Sequence, residues 1–183
     1  MKREEFEHAI RAVGSILGTS DLLVIGSQAL HASIDGELPE AALRSIEVDV
    51  AVFGDTDGSK ADLIAGSIGE ASMFHETFGY YADGVTESTA VLPRGWRERL
   101  IPFETPATGG TIAHCLEPHD LWVTKAIAHR AKDIEFCDAL IERKIVDLST
   151  LSSRLQAVDG IDEGIRQAVQ ERIDRAQGAQ FDG

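Results

Sequence analysis

The spacing of apolar residues near the start of the chain is typical of an amphipathic helix. Residues 3–17 carry apolar side chains three or four positions apart, which is the period of one helix face. Residues 21–25 form a short apolar run between turn-forming residues, and this run predicts a buried strand. A helix start is predicted at 28–34. Residues 45–53 then alternate between apolar and polar or small side chains, which predicts a second strand.

The rest of the chain divides into a region of short strands and a region of helices. The further predicted elements are a helix at 59–73, strands at 78–82, 86–92, 98–103 and 112–116, and helices at 118–130, 131–143, 149–157 and 161–177. This order predicts an α/β (α+β) fold, with a mixed β-sheet flanked by helices over 1–111 and a C-terminal helical segment over 112–183. The small number of apolar residues at 177–183 predicts disorder there.

Acidic side chains outnumber basic ones, 31 against 17, and the formal net charge is −14. This balance excludes a broad DNA-binding surface, because such surfaces neutralise phosphates with lysine and arginine. A phosphate ligand therefore needs a local positive pocket or metal ions. No apolar stretch approaches the roughly 18 residues of a membrane span, and the two cysteines suit a reducing compartment. These features predict a cytoplasmic protein with no membrane contact.

Glu47 and Asp49 are the first candidates for chemistry. They lie two positions apart on a predicted strand, so that both carboxylates project from the same face. Two negative charges this close repel each other, and a hard divalent cation such as Mg²⁺ or Mn²⁺ relieves the repulsion by taking carboxylate oxygens. The alternative is a solvated strand face whose acids form ordinary salt bridges.

Gly26 and Ser27 lie where the first predicted strand gives way to a helix. Glycine lets the main chain approach a ligand closely, and a helix start offers N–H groups to phosphate. The alternative is a simple helix cap, since serine is a good capping residue. The order strand, Gly-Ser, helix and acidic strand places a candidate phosphate site before a candidate metal site, and transfer of a phosphoryl or nucleotidyl group needs both.

These residues resemble the signature of the nucleotidyltransferase superfamily, which has the polymerase-beta-like fold. That signature is an apolar residue followed by glycine and then glycine or serine, and later two acids separated by an apolar residue. The matching residues are Ile25-Gly26-Ser27 and Glu47-Val48-Asp49-Val50. The stretch 116–133 resembles the helical segment of AbiEii-type abortive-infection toxins and related small bacterial nucleotidyltransferase-like proteins. The whole resemblance spans residues 20–145.

The resemblance implies a metal-dependent transfer of a nucleotide from an NTP to an acceptor. In that group a lysine on this helix and an aspartate after it lie near the active site, and the matching residues are Lys125 and Asp133. Arg130 and Lys132 become candidate nucleotide contacts by the same comparison. The implied acceptor is an RNA, a protein or a small molecule. In toxin members it is a tRNA end, and an antitoxin protein is then a partner.

Three features depart from the family pattern. Glu47 stands where aspartate is usual, and the spacer after Ser27 is lengthened by an insert at 35–43. The third carboxylate is the expected base for the attacking hydroxyl. It has two candidates: Glu104 at the end of a predicted strand, which is also a further candidate metal ligand, and Asp83 in an Asp-Gly pair typical of a turn.

Other functions stay open on the sequence alone. A chain without a third acid would be a catalytically degenerate nucleotidyltransferase fold that acts as a binding or regulatory partner. A transferase for a small molecule such as an aminoglycoside would need an open cleft. The spacing of His114, Cys115 and His119 matches no strong zinc pattern. The basic residues of 93–99 fit either a nucleotide contact or a turn whose arginines pair with surface acids.

Overall fold

A computed structural model of the protein describes residues 1–181. In chain order its helices and strands are α1 (Arg3–Leu17), β1 (Asp21–Val24), α2 (Glu40–Leu43), β2 (Glu47–Ala51), α3 (Ser59–Ile68), α4 (Met73–Phe78), β3 (Tyr81–Gly84), β4 (Ile101–Phe103), β5 (Ile112–Cys115), α5 (Pro118–Ala128), α6 (Ala131–Glu142), α7 (Leu148–Gln156) and α8 (Glu163–Phe181). Short 3₁₀ helices lie at Ser27–Ala32, Glu87–Thr89, Arg97–Arg99 and Pro106–Thr108. The predicted α/β fold with a mixed sheet and a C-terminal helical segment is confirmed.

The chain divides into two compact units. The sheet unit comprises Met1–Ala90 and Leu100–Leu116, and the helical unit comprises Val91–Arg99 and the chain from Glu117 onward. The short segment Val91–Arg99 is tied to the helices by hydrogen bonds. Its Val91 carbonyl accepts from Thr124 Oγ1 at 2.8 Å, and its Arg94 N–H donates to the Ala157 carbonyl at 2.9 Å.

The sheet has five strands in the order β3-β2-β1-β5-β4. Strand β2 is parallel to β3, and β1 is parallel to β5, while β1 is antiparallel to β2 and β4 is antiparallel to β5. Helices α1 and α3 pack against this sheet. Val48 and Val50 of β2 are fully buried, as are Phe6 and Ile10 of α1. Strict alternation along β2 therefore leaves Glu47 and Asp49 on the opposite face.

The helix predicted at 59–73 is two helices. Helix α3 ends at Ile68 and is capped by Gly69, whose N–H donates to the Ala65 carbonyl at 3.1 Å. Helix α4 starts after Ser72, whose hydroxyl accepts from the His75 N–H at 3.2 Å and caps the new helix. The strand predicted at 78–82 consequently begins later, at Tyr81, because α4 extends to Phe78.

The strand predicted at 86–92 is wrong. Thr86 N–H donates to Thr89 Oγ1 at 3.2 Å, and the segment Glu87–Thr89 forms a 3₁₀ turn. Threonine and serine side chains offer the backbone such local partners in place of a strand ladder. The helix start predicted at 28–34 is the 3₁₀ helix Ser27–Ala32. Of the residues predicted to be disordered, 177–181 continue α8, and the last two lie outside the described residues.

The helical unit has its own core and its own buried ion pairs. Trp122 of α5 is fully buried, and its Nε1–H donates to the Cys137 carbonyl of α6 at 3.0 Å. Helix α5 also packs against α7 and α8. Between residues 1 and 181, none of the helices combines the length and the apolar character that a bilayer crossing requires.

Candidate active site

The contact between Gly26 and Asp49 lies at the centre of the candidate site. Ile25 N–H donates to the Asp49 carbonyl at 3.2 Å, which sets the end of β1 against β2. A Cβ added to Gly26 would lie 1.7 Å from Asp49 Oδ2 and 2.7 Å from Asp49 Cγ. The carboxylate therefore occupies the space that a side chain at residue 26 would need. Glycine is required here because the acid and the main chain approach each other so closely.

Strand β3 brings a third acid to the same face. Its register with β2 pairs Glu47 with Tyr81 and Asp49 with Asp83. Paired residues of neighbouring strands share a face and lie about 5 Å apart. Asp83 is therefore the carboxylate next to Asp49. The Asp-Gly pair that favoured a turn is part of a strand, so that the turn interpretation of Asp83 is wrong.

The other candidate for the third acid, Glu104, lies elsewhere. It follows β4, which is the opposite edge strand, and β1 and β5 separate that strand from β2. Across this many strands the distance is roughly 14 Å. Glu104 therefore lies away from Glu47 and Asp49, and Asp83 is the better candidate for the third acid.

The electrostatics of this face show an excess of negative charge. Burial, and after it the charges of Glu47 and Glu70, raises the pKa of Asp83 above the ordinary aspartate value. Tyr81 donates its hydroxyl hydrogen to Glu47 Oε2 at 3.1 Å. Burial, the charge of Glu47 and this hydrogen bond raise the pKa of Tyr81 to about 12. The charge of Glu47 adds to the effect of burial in both cases, and a bound cation would offset that charge.

Ser27 lies next to this contact. It is 8% exposed, and its hydroxyl accepts a long hydrogen bond from Gln28 Nε2 at 3.5 Å. The Gln28 amide also donates to the Ala42 carbonyl at 2.9 Å, which ties the start of the 3₁₀ helix to the segment before β2. The glycine bend and the acidic strand are thus fixed to each other by main-chain and side-chain hydrogen bonds.

The donor set has the chemistry that Mg²⁺ or Mn²⁺ takes. Mg²⁺ is usually bound by one or two carboxylates together with water and substrate phosphates, rather than by a cage of protein groups. The part of the chain that the structure describes holds no preformed group of three or more His, Cys, Asp or Glu side chains placed to bind a metal ion. Glu47 and Asp49 fit a site that a nucleotide completes. The zinc alternative built on His114, Cys115 and His119 gains no support.

The residues carried over from the toxin resemblance lie in the helical unit. Lys125 Nζ is 3.2 Å from Asp133 Oδ1, and Arg130 Nε is 2.6 Å from Asp133 Oδ2. The side chain of Asp133 is 1% exposed and that of Lys125 is 12% exposed. Lys132 is exposed on α6. The structure therefore joins Lys125, Arg130 and Asp133 in one ion-pair cluster.

Asp133 is ionised in this cluster. Burial by itself would raise the pKa of Asp133, but the hydrogen bond from Arg130 and the charge of Lys125 outweigh it and lower that pKa. A carboxylate held by two cations is a poor proton acceptor. The contacts of Asp133 therefore fit a residue that positions Lys125 better than they fit a general base.

The basic segment 93–99 behaves as an anchored turn. Arg99 donates to the buried carboxylate of Asp120 from Nε at 2.8 Å and from Nη2 at 3.0 Å. Arg94 Nε lies 3.5 Å from Asp159 Oδ2, and the Arg97 guanidinium lies over the Trp96 ring at 4.9 Å. The alternative in which these arginines pair with acids accounts for Arg94 and Arg99.

One comparison with known proteins identifies a family for this chain. A family model described as a nucleotidyltransferase of unknown function (DUF6036) matches residues 4–173. The match begins in α1 and ends in α8, and it includes the glycine bend, the three acids and the Lys125 cluster. No curated protein and no solved structure matches the chain.

Proposed function

The chain belongs to this family of nucleotidyltransferases, and we propose that it transfers a nucleoside monophosphate from an NTP to an acceptor with Mg²⁺ or Mn²⁺ as cofactor. The observation that carries the proposal is the contact of the Asp49 carboxylate with the main chain at Gly26. It sets a bend suited to phosphate against an acid suited to a metal ion. Nucleotidyl transfer requires both at one place.

Each residue of the site has a separate role in this proposal. Glu47 and Asp49 would hold the divalent ion, and Gly26 and Ser27 would contact the triphosphate. A bound divalent ion would neutralise phosphate charge and hold the transferred group in line with the attacking oxygen. Asp83 receives the proton of the attacking hydroxyl, and its raised pKa brings it nearer to the range of an efficient base.

The proposal also takes in four residues on the strength of the family resemblance alone. The resemblance to AbiEii-type toxins assigns Lys125 and Asp133 to the active site, with Arg130 and Lys132 as nucleotide contacts. In the proposal Lys125 contacts phosphate, and Asp133 positions Lys125, because the ion pair between these two residues is almost completely buried. The same resemblance makes a tRNA end the first acceptor to test, before a protein or a small molecule. A toxin role with an antitoxin protein as partner rests on it as well.

The alternative of a catalytically degenerate binding protein loses its main support. That alternative depended on the absence of a third acid, and the register of β3 puts Asp83 beside Asp49. The experiment that separates the two functions measures Mg²⁺-dependent binding of a non-hydrolysable NTP, and transfer of label from an α-labelled NTP to tRNA, total RNA or the protein itself.

We expect Asp49→Asn to lose Mg²⁺-dependent NTP binding. Asp83→Asn should keep binding and lose transfer by at least about 100-fold, which is the usual contribution of a general base. Glu104→Gln is the matched control, since that acid lies at the opposite edge of the sheet, and it should behave as wild type. Unchanged NTP binding and transfer in Asp49→Asn would remove the proposal.

A further inference from the structure

Tyr81 makes a side-chain contact with the first acid of the site. It opens β3 directly beside Glu47 in the parallel register, and its hydroxyl donates to Glu47 Oε2 at 3.1 Å. The residue is only 8% exposed, and its ring packs against His75 with the ring centroids 4.8 Å apart. The phenol is therefore held in place by the strand on one side and by the His75 ring on the other.

We infer that Tyr81 is a positioning residue that fixes the Glu47 carboxylate for metal binding, an inference that rests on the proposed function. Glutamate has one more rotatable bond than aspartate, so its carboxylate is less constrained by the backbone. The hydrogen bond from Tyr81 to Oε2 adds a constraint on that carboxylate. Partners that orient a metal ligand in this way typically change metal affinity or activity by about 10–100-fold when they are removed.

Packing alone does not require the hydroxyl. A phenylalanine at this position would fill the same space and keep the contact with His75. Tyr80, the preceding residue, offers a matched comparison because it is also 8% exposed. Its hydroxyl hydrogen-bonds His8 Nδ1 at 2.6 Å instead of an acid of the site.

The experiment compares Tyr81→Phe with Tyr80→Phe by titrating Mn²⁺ and following the free ion by electron paramagnetic resonance. The kcat and KM for NTP and the thermal unfolding midpoint are measured on the same proteins. Tyr81→Phe should weaken Mn²⁺ binding by about 10-fold or more, and saturating Mn²⁺ should restore most of kcat. Tyr80→Phe should bind Mn²⁺ as wild type does. A purely structural hydroxyl would lower the unfolding midpoint and leave the Mn²⁺ titration unchanged.

A double-mutant cycle tests whether the effect passes through Glu47. In a Glu47→Asp background the shorter side chain does not reach the phenol, so Tyr81→Phe should then change Mn²⁺ affinity by less than about twofold. Tyr81→Met, which keeps an apolar side chain without the hydroxyl, serves as a second variant if the phenylalanine protein does not fold.

The outcomes separate this inference from the proposed function. If wild type binds Mn²⁺ and Asp49→Asn does not, while Tyr81→Phe binds normally, the inference is overturned and the proposed function stands. The inference is also overturned if Tyr80→Phe weakens Mn²⁺ binding as much as Tyr81→Phe does. It is overturned as well if Tyr81→Phe weakens Mn²⁺ binding as much in the Glu47→Asp background as in the wild type. A wild-type protein that binds neither Mn²⁺ nor NTP refutes both.

Discussion

The substitution Gly26→Ala tests the central contact by adding a single methyl group. The backbone at Gly26 has φ −92° and ψ −173°, a conformation that alanine adopts without strain. The added Cβ would nevertheless lie 1.7 Å from Asp49 Oδ2 and 3.0 Å from Asp49 Cβ. The glycine is therefore needed for space and not for its backbone angles. The substitution acts on Asp49 and leaves the chemistry of every acid unchanged.

The expected size of the effect follows from the overlap. An unstrained contact needs about 3.5 Å between such atoms, so that the Asp49 carboxylate must retreat by roughly 1.5–2 Å. A displacement of about 1 Å at a reacting centre can reduce the rate by about 100-fold. That factor corresponds to about 2.7 kcal/mol of transition-state stabilisation. Overpacking of this kind also costs about 1–3 kcal/mol of fold stability.

The assay combines Mg²⁺-dependent NTP binding and label transfer with urea unfolding. We expect Gly26→Ala to lose transfer by at least about 100-fold. In an Asp49→Ala background only the 3.0 Å contact with the residue 49 Cβ remains, so Gly26→Ala should lower the unfolding free energy clearly less there than in the wild type. Gly66→Ala on α3 is the control, because no atom outside its neighbouring residues and its own helix backbone lies within 4 Å of its added Cβ. This control should keep full activity and gain about 0.5–1 kcal/mol of stability.

Two results would refute this reasoning. One is wild-type transfer by Gly26→Ala. The other is an equal loss of stability from Gly26→Ala in the wild-type and Asp49→Ala backgrounds, because the clash would then involve some other atom.

Two further predictions concern stability. In denaturant unfolding, Asp133→Asn should lower the unfolding free energy by about 3 kcal/mol because it leaves Lys125 buried without its counter-charge. Asp138→Asn is the control: the side chain of Asp138 is 54% exposed, so its loss should cost about 1 kcal/mol at most. Burial lowers the pKa of His31 from 6.5 to about 4. As pH falls, His31 of the unfolded chain therefore binds a proton before His31 of the folded protein does, and the folded protein loses stability between pH 6.5 and about pH 4. His31→Phe keeps a ring stacked on Phe6 and should reduce the dependence of the unfolding free energy on pH over this range. The same pH dependence in His31→Phe and wild type would contradict this prediction.

The sequence predicts those elements whose hydrophobic period is unambiguous. Helix α1 has the predicted bounds of 3–17, and β2 lies inside the alternating run 45–53. The order of strand, bend and acidic strand predicts a phosphate site at Gly26 and Ser27 together with a metal site at Glu47 and Asp49, but not which acid contacts Gly26. What the sequence could not supply is the distance between them, because it depends on how far the end of β1 overlaps β2.

The sequence leaves the choice of the third acid open for a physical reason. An Asp-Gly pair favours a turn because glycine adopts a positive φ without cost. Gly84 is not among the glycines with positive φ. A Cβ at Gly84 would lie 1.9 Å from the Ala61 carbonyl oxygen, so this glycine serves the close approach of α3 to β3. Local sequence does not distinguish a glycine kept for its backbone angles from one kept for packing.

Register, more than residue type, decides whether Asp83 takes part in the site. A slip of one residue between β2 and β3 would put Ala82 beside Asp49 and turn Asp83 to the opposite face. Two contacts oppose this slip: the Tyr81 hydroxyl meets Glu47 on one face, and Gly84 meets α3 on the other. Because each contact holds a different face, β3 is fixed from both sides although it is a short edge strand. The residues that fix the register of β3 are therefore as necessary for the acidic site as the carboxylates themselves.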